Sequence, residues 1–139
     1  MLLGEFSLNL INKILIVDDS AAIHHTYQVT LARYKCPVLT VLNGQEGLDK
    51  LTQNPDVNLL IVDMNMQPRM SGVEFIQKVK EQKAFNEIPI IAVISKENAE
   101  NSPEALQLAE GVLKKPFTST EIHKVVEKIY PQAVFESKT

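Results

Sequence analysis

One cysteine, Cys36, is present in 139 residues, so no internal disulfide can form. That fits a reducing compartment. The thiol reads as a small buried apolar residue to which no chemistry is assigned. No apolar run approaches bilayer length. The opening MLLGEFSLNLI lacks the basic start of a signal peptide, and Glu5 and Asn9 interrupt it. No basic stripe occurs and the net charge is −3, so electrostatics give no reason to expect nucleic acid. Internal repeats and low-complexity tracts are absent too. These absences point to a cytoplasmic chain with no membrane or nucleic-acid partner. What remains is a 45% apolar chain of one-domain size, long enough to bury a core without disulfide or metal staples.

Strand-like and helix-like segments alternate along it. ILIVDD, PVLTVLN, VNLLIVDM, IPIIAVIS and GVLKKPF read as strands. Between and after them run five helical segments. In SAAIHHTYQVTLARYK, Ser20 is placed to cap, and Ile23, Tyr27 and Leu31 recur every four residues to form an apolar face. Val73, Ile76 and Val79 make the face of the third helix. Ser102 caps the fourth helix, with Pro103 at its first position. Thr118 and Glu121 have capping-box spacing ahead of Ile122, Val125, Val126 and Ile129. Five strands alternating with five helices predict an α/β fold: a three-layer, doubly wound parallel sheet, with a flavodoxin-like (βα)5 order of 2-1-3-4-5. The expected layout is a leader over 1–12, a domain over 13–130 and a tail over 131–139, too short for an output domain. The leader either packs on the domain or mediates self-association.

The stretch KILIVDDS, residues 13–20, ends an apolar strand in two adjacent acids, Asp18 and Asp19. Asp63 likewise ends the third strand. In the 2-1-3-4-5 order strands 1 and 3 are neighbours at the switch point, where such sheets place their functional crevice. Three carboxylates then meet in one pocket, and Lys115, ending the fifth strand, approaches from the side. Crowded carboxylates repel one another. Mg²⁺ is the natural counter-ion, being hard, oxygen-seeking and content with one or two carboxylates plus a phosphate oxygen. Lys114 fits a solvated strand-end lysine better than Lys115 does.

The motifs ILIVDDS, LLIVDMNM with its P-R-M-S-G continuation, and KKPF resemble the receiver domain of two-component response regulators, from about Lys13 to Tyr130. Asp19 and Asp63 lie 44 residues apart, and Asp63 and Lys115 lie 52 apart; both spacings are typical of that family. The resemblance implies that Asp63 is the phosphoacceptor, taking a phosphoryl group from a phosphohistidine on a sensor histidine kinase or phosphotransfer protein. It implies that Asp18 and Asp19 hold Mg²⁺ with Asp63, that the backbone carbonyl of Asn65 ligates it, and that Lys115 pairs with the phosphoryl oxygens. A downstream protein would read the result. The chain would be a signalling domain rather than an enzyme, catalysing only its own phosphorylation and dephosphorylation. Helix 1, with His24 and His25, would face the kinase. Lys115-Pro116 is a candidate cis bond.

Three features depart from the family pattern. Pro68 falls five residues after the acid rather than four, with Gln67 the apparent insertion. Ile94 stands at the usual switch-hydroxyl position and Ser95 follows it; either a one-residue shift brings Ser95 into the site or the hydroxyl is missing. Val112 stands where an aromatic switch residue is usual, and valine cannot act as one. His24 and His25, about 100° apart on a helix, read as a solvent-facing pair; His123 reads as an outer-face residue. Met64, Met66 and Met70 read as loop and core lining. A haloacid dehalogenase-type phosphatase would need Asp-x-Asp-x-Thr where this chain has DDSAA. A flavodoxin would need a phosphate loop that two carboxylates would repel. The serious alternative is a receiver-like binding or scaffold module independent of phosphorylation.

Overall fold

The computed structural model describes residues 10–66, 70–95 and 103–133. The strands are β1 (Ile14–Val17), β2 (Val38–Val41), β3 (Leu59–Asp63), β4 (Ile90–Ser95) and β5 (Gly111–Lys115). The helices are α1 (Ala21–Leu31), α2 (Gly44–Gln53), α3 (Gly72–Lys80), α4 (Pro103–Leu108) and α5 (Ser119–Ile129), with a 3₁₀ turn over Ala32–Tyr34. All strand pairs are parallel, in the order β2-β1-β3-β4-β5. This is the expected flavodoxin-like sheet.

Every residue of β1 and β3 is buried, as a parallel sheet covered on both faces requires. The pleat sends alternate residues to opposite faces. Leu15, Val17, Leu60, Val62, Ala92 and Ile94 join Phe75, Ile76 and Val79 of α3. Ile14, Ile16, Ile61, Val93 and Leu113 join Tyr27 and Leu31 of α1 and Ile122 and Val126 of α5. Ile11 and Ala133, outside the two terminal elements, are also buried in this second layer.

Helix starts follow local chemistry. Thr118 and Glu121 form the expected capping box of α5. Ser71 and Glu74 form a second box, at the start of α3. Asn43 caps α2 by accepting from the N–H of Glu46. Ser20 occupies the N-cap position of α1 without a side-chain cap bond. The expected Ser102 cap and the Gln67 insertion lie outside the described residues.

Candidate functional site

The site lies at the carboxyl edge of the sheet. β1 ends at Val17, and the N–H of Asp18 carries the ladder one step further by donating to the carbonyl of Val41, 3.1 Å away. Asp18 is thereby held in the sheet and is 1% exposed, while Asp19 turns outward. Asp18 Oδ1 accepts from the N–H of Ser20 at 2.9 Å. This Asx turn closes the acidic loop ahead of α1. Asp63, the last residue of β3, is also buried, and its Oδ1 accepts from the N–H of Asn65 at 3.0 Å.

Register explains how Lys115 reaches both acids. Asp63 pairs with Val93, and Val93 with Leu113. Lys115 stands two residues beyond that level, roughly 6–7 Å further along the strand direction. Its flexible side chain folds back so that Nζ lies 3.0 Å from Asp18 Oδ2 and 3.3 Å from Asp63 Oδ2. Asp18, Asp19 and Asp63 each offer a carboxylate oxygen, all within 4.8 Å of one another. One ammonium facing three carboxylates leaves the pocket a formal excess of two negative charges. Burial raises the affinity of Asp18 for a proton; the Ser20 N–H and Lys115 oppose this, and Asp63 adds to it. Burial lowers the pKa of Lys115, but its contacts with Asp18 and Asp63 outweigh that and hold the ammonium above its usual range.

The observed register puts Ser95 on this side. The ladder runs unbroken to the Ser95–Lys115 pair. Paired residues of a parallel sheet share a face, and so do residues two apart on one strand. Ser95 is therefore on the face of Asp63 and Lys115, and its hydroxyl is buried with no hydrogen-bond partner among the described residues. Ile94 points the other way, into the α2–α4 layer, and is 3% exposed. Val112 is a solvent-facing valine on the edge strand, 37% exposed.

Several other expectations are corrected or met. His24 and His25 are not a matched solvent pair: the Nε2–H of His24 donates to the carbonyl of Asp18 at 2.8 Å, and only His25 is fully exposed. His24 is thus a clamp on the acidic loop, which neither adjacency nor helical angle could indicate. His123 is not on a free outer face; its ring packs edge-on against Tyr34, with Nδ1 2.8 Å from the hydroxyl. Cys36 is half-buried rather than buried, and desolvation pushes its thiol up to about 11. Met64, Met66 and Met70 are buried core residues, Lys114 is exposed, and Lys115-Pro116 is cis, all as read. The hydroxyl of Tyr27 was missed. Tyr27 is 0% exposed, and its hydroxyl has no hydrogen-bond partner among the described residues. The signal was available: a tyrosine on a buried apolar face carries a hydroxyl that needs a partner.

An aspartate ending the third of five parallel strands, beside two acids from the first and a lysine from the fifth, defines a class of protein, and the chain belongs to it: the response regulator receiver domain family, whose sequence profile matches residues 14–127. Among its curated relatives is a chemotaxis protein CheY homolog of Campylobacter jejuni, 35% identical over 119 residues, covering 84% of this chain and 91% of that protein. Chemotaxis protein CheY1 of Helicobacter pylori is 34% identical, covering 84% of this chain and 95% of its own. Among solved structures, chemotaxis protein CheY4 of Vibrio cholerae is 30% identical, with a TM-score of 0.76 over 86% of this chain and 98% of that one. No helix among the described residues is long and apolar enough to cross a membrane.

Proposed function

We propose that this chain is a phosphoacceptor of a two-component phosphorelay, with Asp63 the residue phosphorylated. The observation that carries the reading is the pocket itself: Asp63 is buried at a strand end, 3.3 Å from Lys115 Nζ, with Asp18 and Asp19 within 4.8 Å. A carboxylate oxygen of Asp63 forms a bond to phosphorus as the P–N bond of a partner's phosphohistidine breaks. The bonding pair stays on the imidazole nitrogen, which takes up a proton from solvent. Such transfer asks little of the protein beyond alignment and charge neutralisation. Lys115 is placed to follow the phosphoryl oxygens, since it already touches the acceptor. The backbone N–H of Asn65 fixes one Asp63 oxygen and so aims the other.

The donor set fits Mg²⁺. It consists of hard carboxylate oxygens with excess negative charge, and Asp18, Asp19 and Asp63 would hold the ion with the Asn65 carbonyl. When bound, the ion supplies neutralisation of the acids and of the incoming phosphoryl oxygens. Ser95 takes the part of the missing hydroxyl at position 94, on the strength of its face and its buried oxygen, which has no partner among the described residues. The phosphodonor is a sensor histidine kinase or phosphotransfer protein, and the reader is a further protein, all in the cytoplasm. The phosphorylated unit is residues 13–130, with the flanking segments packing through Ile11 and Ala133.

The second reading, a scaffold independent of phosphate, is favoured by one observation: Ile94 is committed to the opposite core. Incubation with a small-molecule phosphodonor and Mg²⁺, followed by intact-mass measurement, separates the two. The expected result is one added phosphoryl group on the wild type and none on Asp63→Asn. Labelling of Asp63→Asn at the wild-type rate would sink the assignment, and no labelling of the wild type would favour the scaffold.

A further inference from the structure

Tyr27 lies on α1, in the layer that covers the same sheet face as the site. Ile14 and Ile16 of β1 belong to this layer, and by the pleat Asp18 continues their side. Helical side chains lean toward the helix N-terminus. The N-terminus of α1 directly follows the acidic pair, so the Tyr27 phenol leans toward the site end of the sheet. Its ring packs against Phe117 with centroids 5.4 Å apart. Phe117 follows Lys115 by two residues, which ties the ring to the segment that carries the site's only described ammonium. The hydroxyl is fully buried and has no partner among the described residues. Burial chiefly, and the charges of Asp18 and Asp63 in addition, oppose its ionisation, so it remains a neutral O–H donor. A buried hydroxyl without a partner is costly and calls for an explanation, a role in the site among them.

The resting contacts show where a donor would be wanted. Asp18 Oδ1 is satisfied by the Ser20 N–H, whereas Oδ2 has no hydrogen bond among the described residues and only an ion pair with Lys115, which it shares with Asp63. Adding a phosphoryl group to Asp63 draws that shared ammonium toward new oxygens. Asp18 Oδ2, buried, then loses its ion-pair partner, and a carboxylate that would also hold Mg²⁺ has use for an outer hydrogen-bond donor to orient it.

We propose that Tyr27 is a positioning residue of the phosphoacceptor site, its hydroxyl donating a hydrogen bond to Asp18 Oδ2, directly or through one water, in place of the Lys115 ion pair when Asp63 carries a phosphoryl group. This rests on the phosphoacceptor reading and extends it to a residue in the α1 layer. The exchange also has a route to the surface. Tyr27 bears on Phe117, and Phe117 lines a cavity of about 400 Å³ with Ile23, Thr26, Lys115 and Pro116.

The test compares wild type with Tyr27→Phe, which keeps the ring and removes only the hydroxyl. The probe is beryllium fluoride with Mg²⁺, a phosphoryl mimic, its affinity measured by calorimetry. Tyr27→Phe is expected to melt no lower than wild type without ligand, because the hydroxyl has no partner to lose among the described residues. It is expected to bind the mimic about tenfold more weakly, the scale of one hydrogen bond to a charged group. In wild type labelled at the tyrosine ring, the Cζ resonance of Tyr27 is expected to move on binding while those of Tyr34 and Tyr130 stay. Equal affinity of the two proteins overturns the proposal. If Tyr27→Phe does not fold, the wild-type resonance decides, and an unmoved Tyr27 signal overturns it. Failure of the wild type to bind the mimic at all overturns the phosphoacceptor reading and this inference with it.

Discussion

Gly72 shows how tightly single residues set the site. It opens α3 directly against the end of β3. A Cβ there would collide with the carbonyl oxygen of Asp63 and come within 2.7 Å of Met64 Cα, both backbone atoms with nowhere to move. At Gly111 the same addition meets Val125 Cγ1 at 2.5 Å, a side-chain atom on a neighbouring helix that can shift more readily than backbone. Gly72→Ala is therefore expected to cost about 2–3 kcal/mol in urea unfolding, and Gly111→Ala about 1 kcal/mol. Gly72→Ala should also slow phosphorylation, because the backbone it displaces carries the acceptor. Equal costs for the two variants would show that the close approach at Gly72 is not what holds this corner. Ser95 and Ile94 make a similar point. They are adjacent in sequence, so the pleat separates them, and the register puts the hydroxyl on the face of Lys115 and the isoleucine in the other core.

At the scale of elements, α4 and β5 form the surface expected to respond least. A receiver's usual response moves a hydroxyl toward the phosphoryl group and an aromatic ring into the space it leaves. Here Ile94 is packed in the core and Val112 is already in solvent. A ligand shifts an equilibrium only by its differential affinity for two states, and an exposed valine gains nothing by turning in. Binding of beryllium fluoride with Mg²⁺ is thus expected to shift amide resonances around Asp63 and Ser95 strongly, and those over residues 103–114 little. Shifts across 103–114 as large as those beside Asp63 would show that these elements are coupled by another route. The contact of Tyr27 with Phe117 instead directs attention to α1 and the segment after β5.

For the whole molecule, the charge is modest at −3 but unevenly placed, with three carboxylates crowded at one edge of the sheet. Concentrated like charge works against the folded state, and a bound cation reverses this by mass action. Asp19→Asn is expected to raise the melting temperature in EDTA by about 1–3 °C, a small gain because Asp19 is exposed. With excess Mg²⁺ the order should invert, wild type gaining more than the variant. A variant that melts below wild type in EDTA would count against a repulsive cluster.

Much of this was determined by the sequence alone. Apolar runs of strand length, helical periodicity and the acids at strand ends fix a doubly wound sheet and bring Asp18, Asp63 and Lys115 together, because parallel strands leave their carboxyl ends on one edge. Periodicity is a local signal, and those features are local. What depended on contacts distant in sequence was decided only in three dimensions. The face taken by Ser95 follows from pairing across three strands. The bond from His24 to Asp18 follows from where the first helix turn lands on the loop. The meeting of His123 with Tyr34 spans 89 residues. That the Tyr27 hydroxyl has no hydrogen-bond partner among the described residues depends on every group that packs around it. A sequence states which polar atoms exist, and only the packed chain decides which of them find partners.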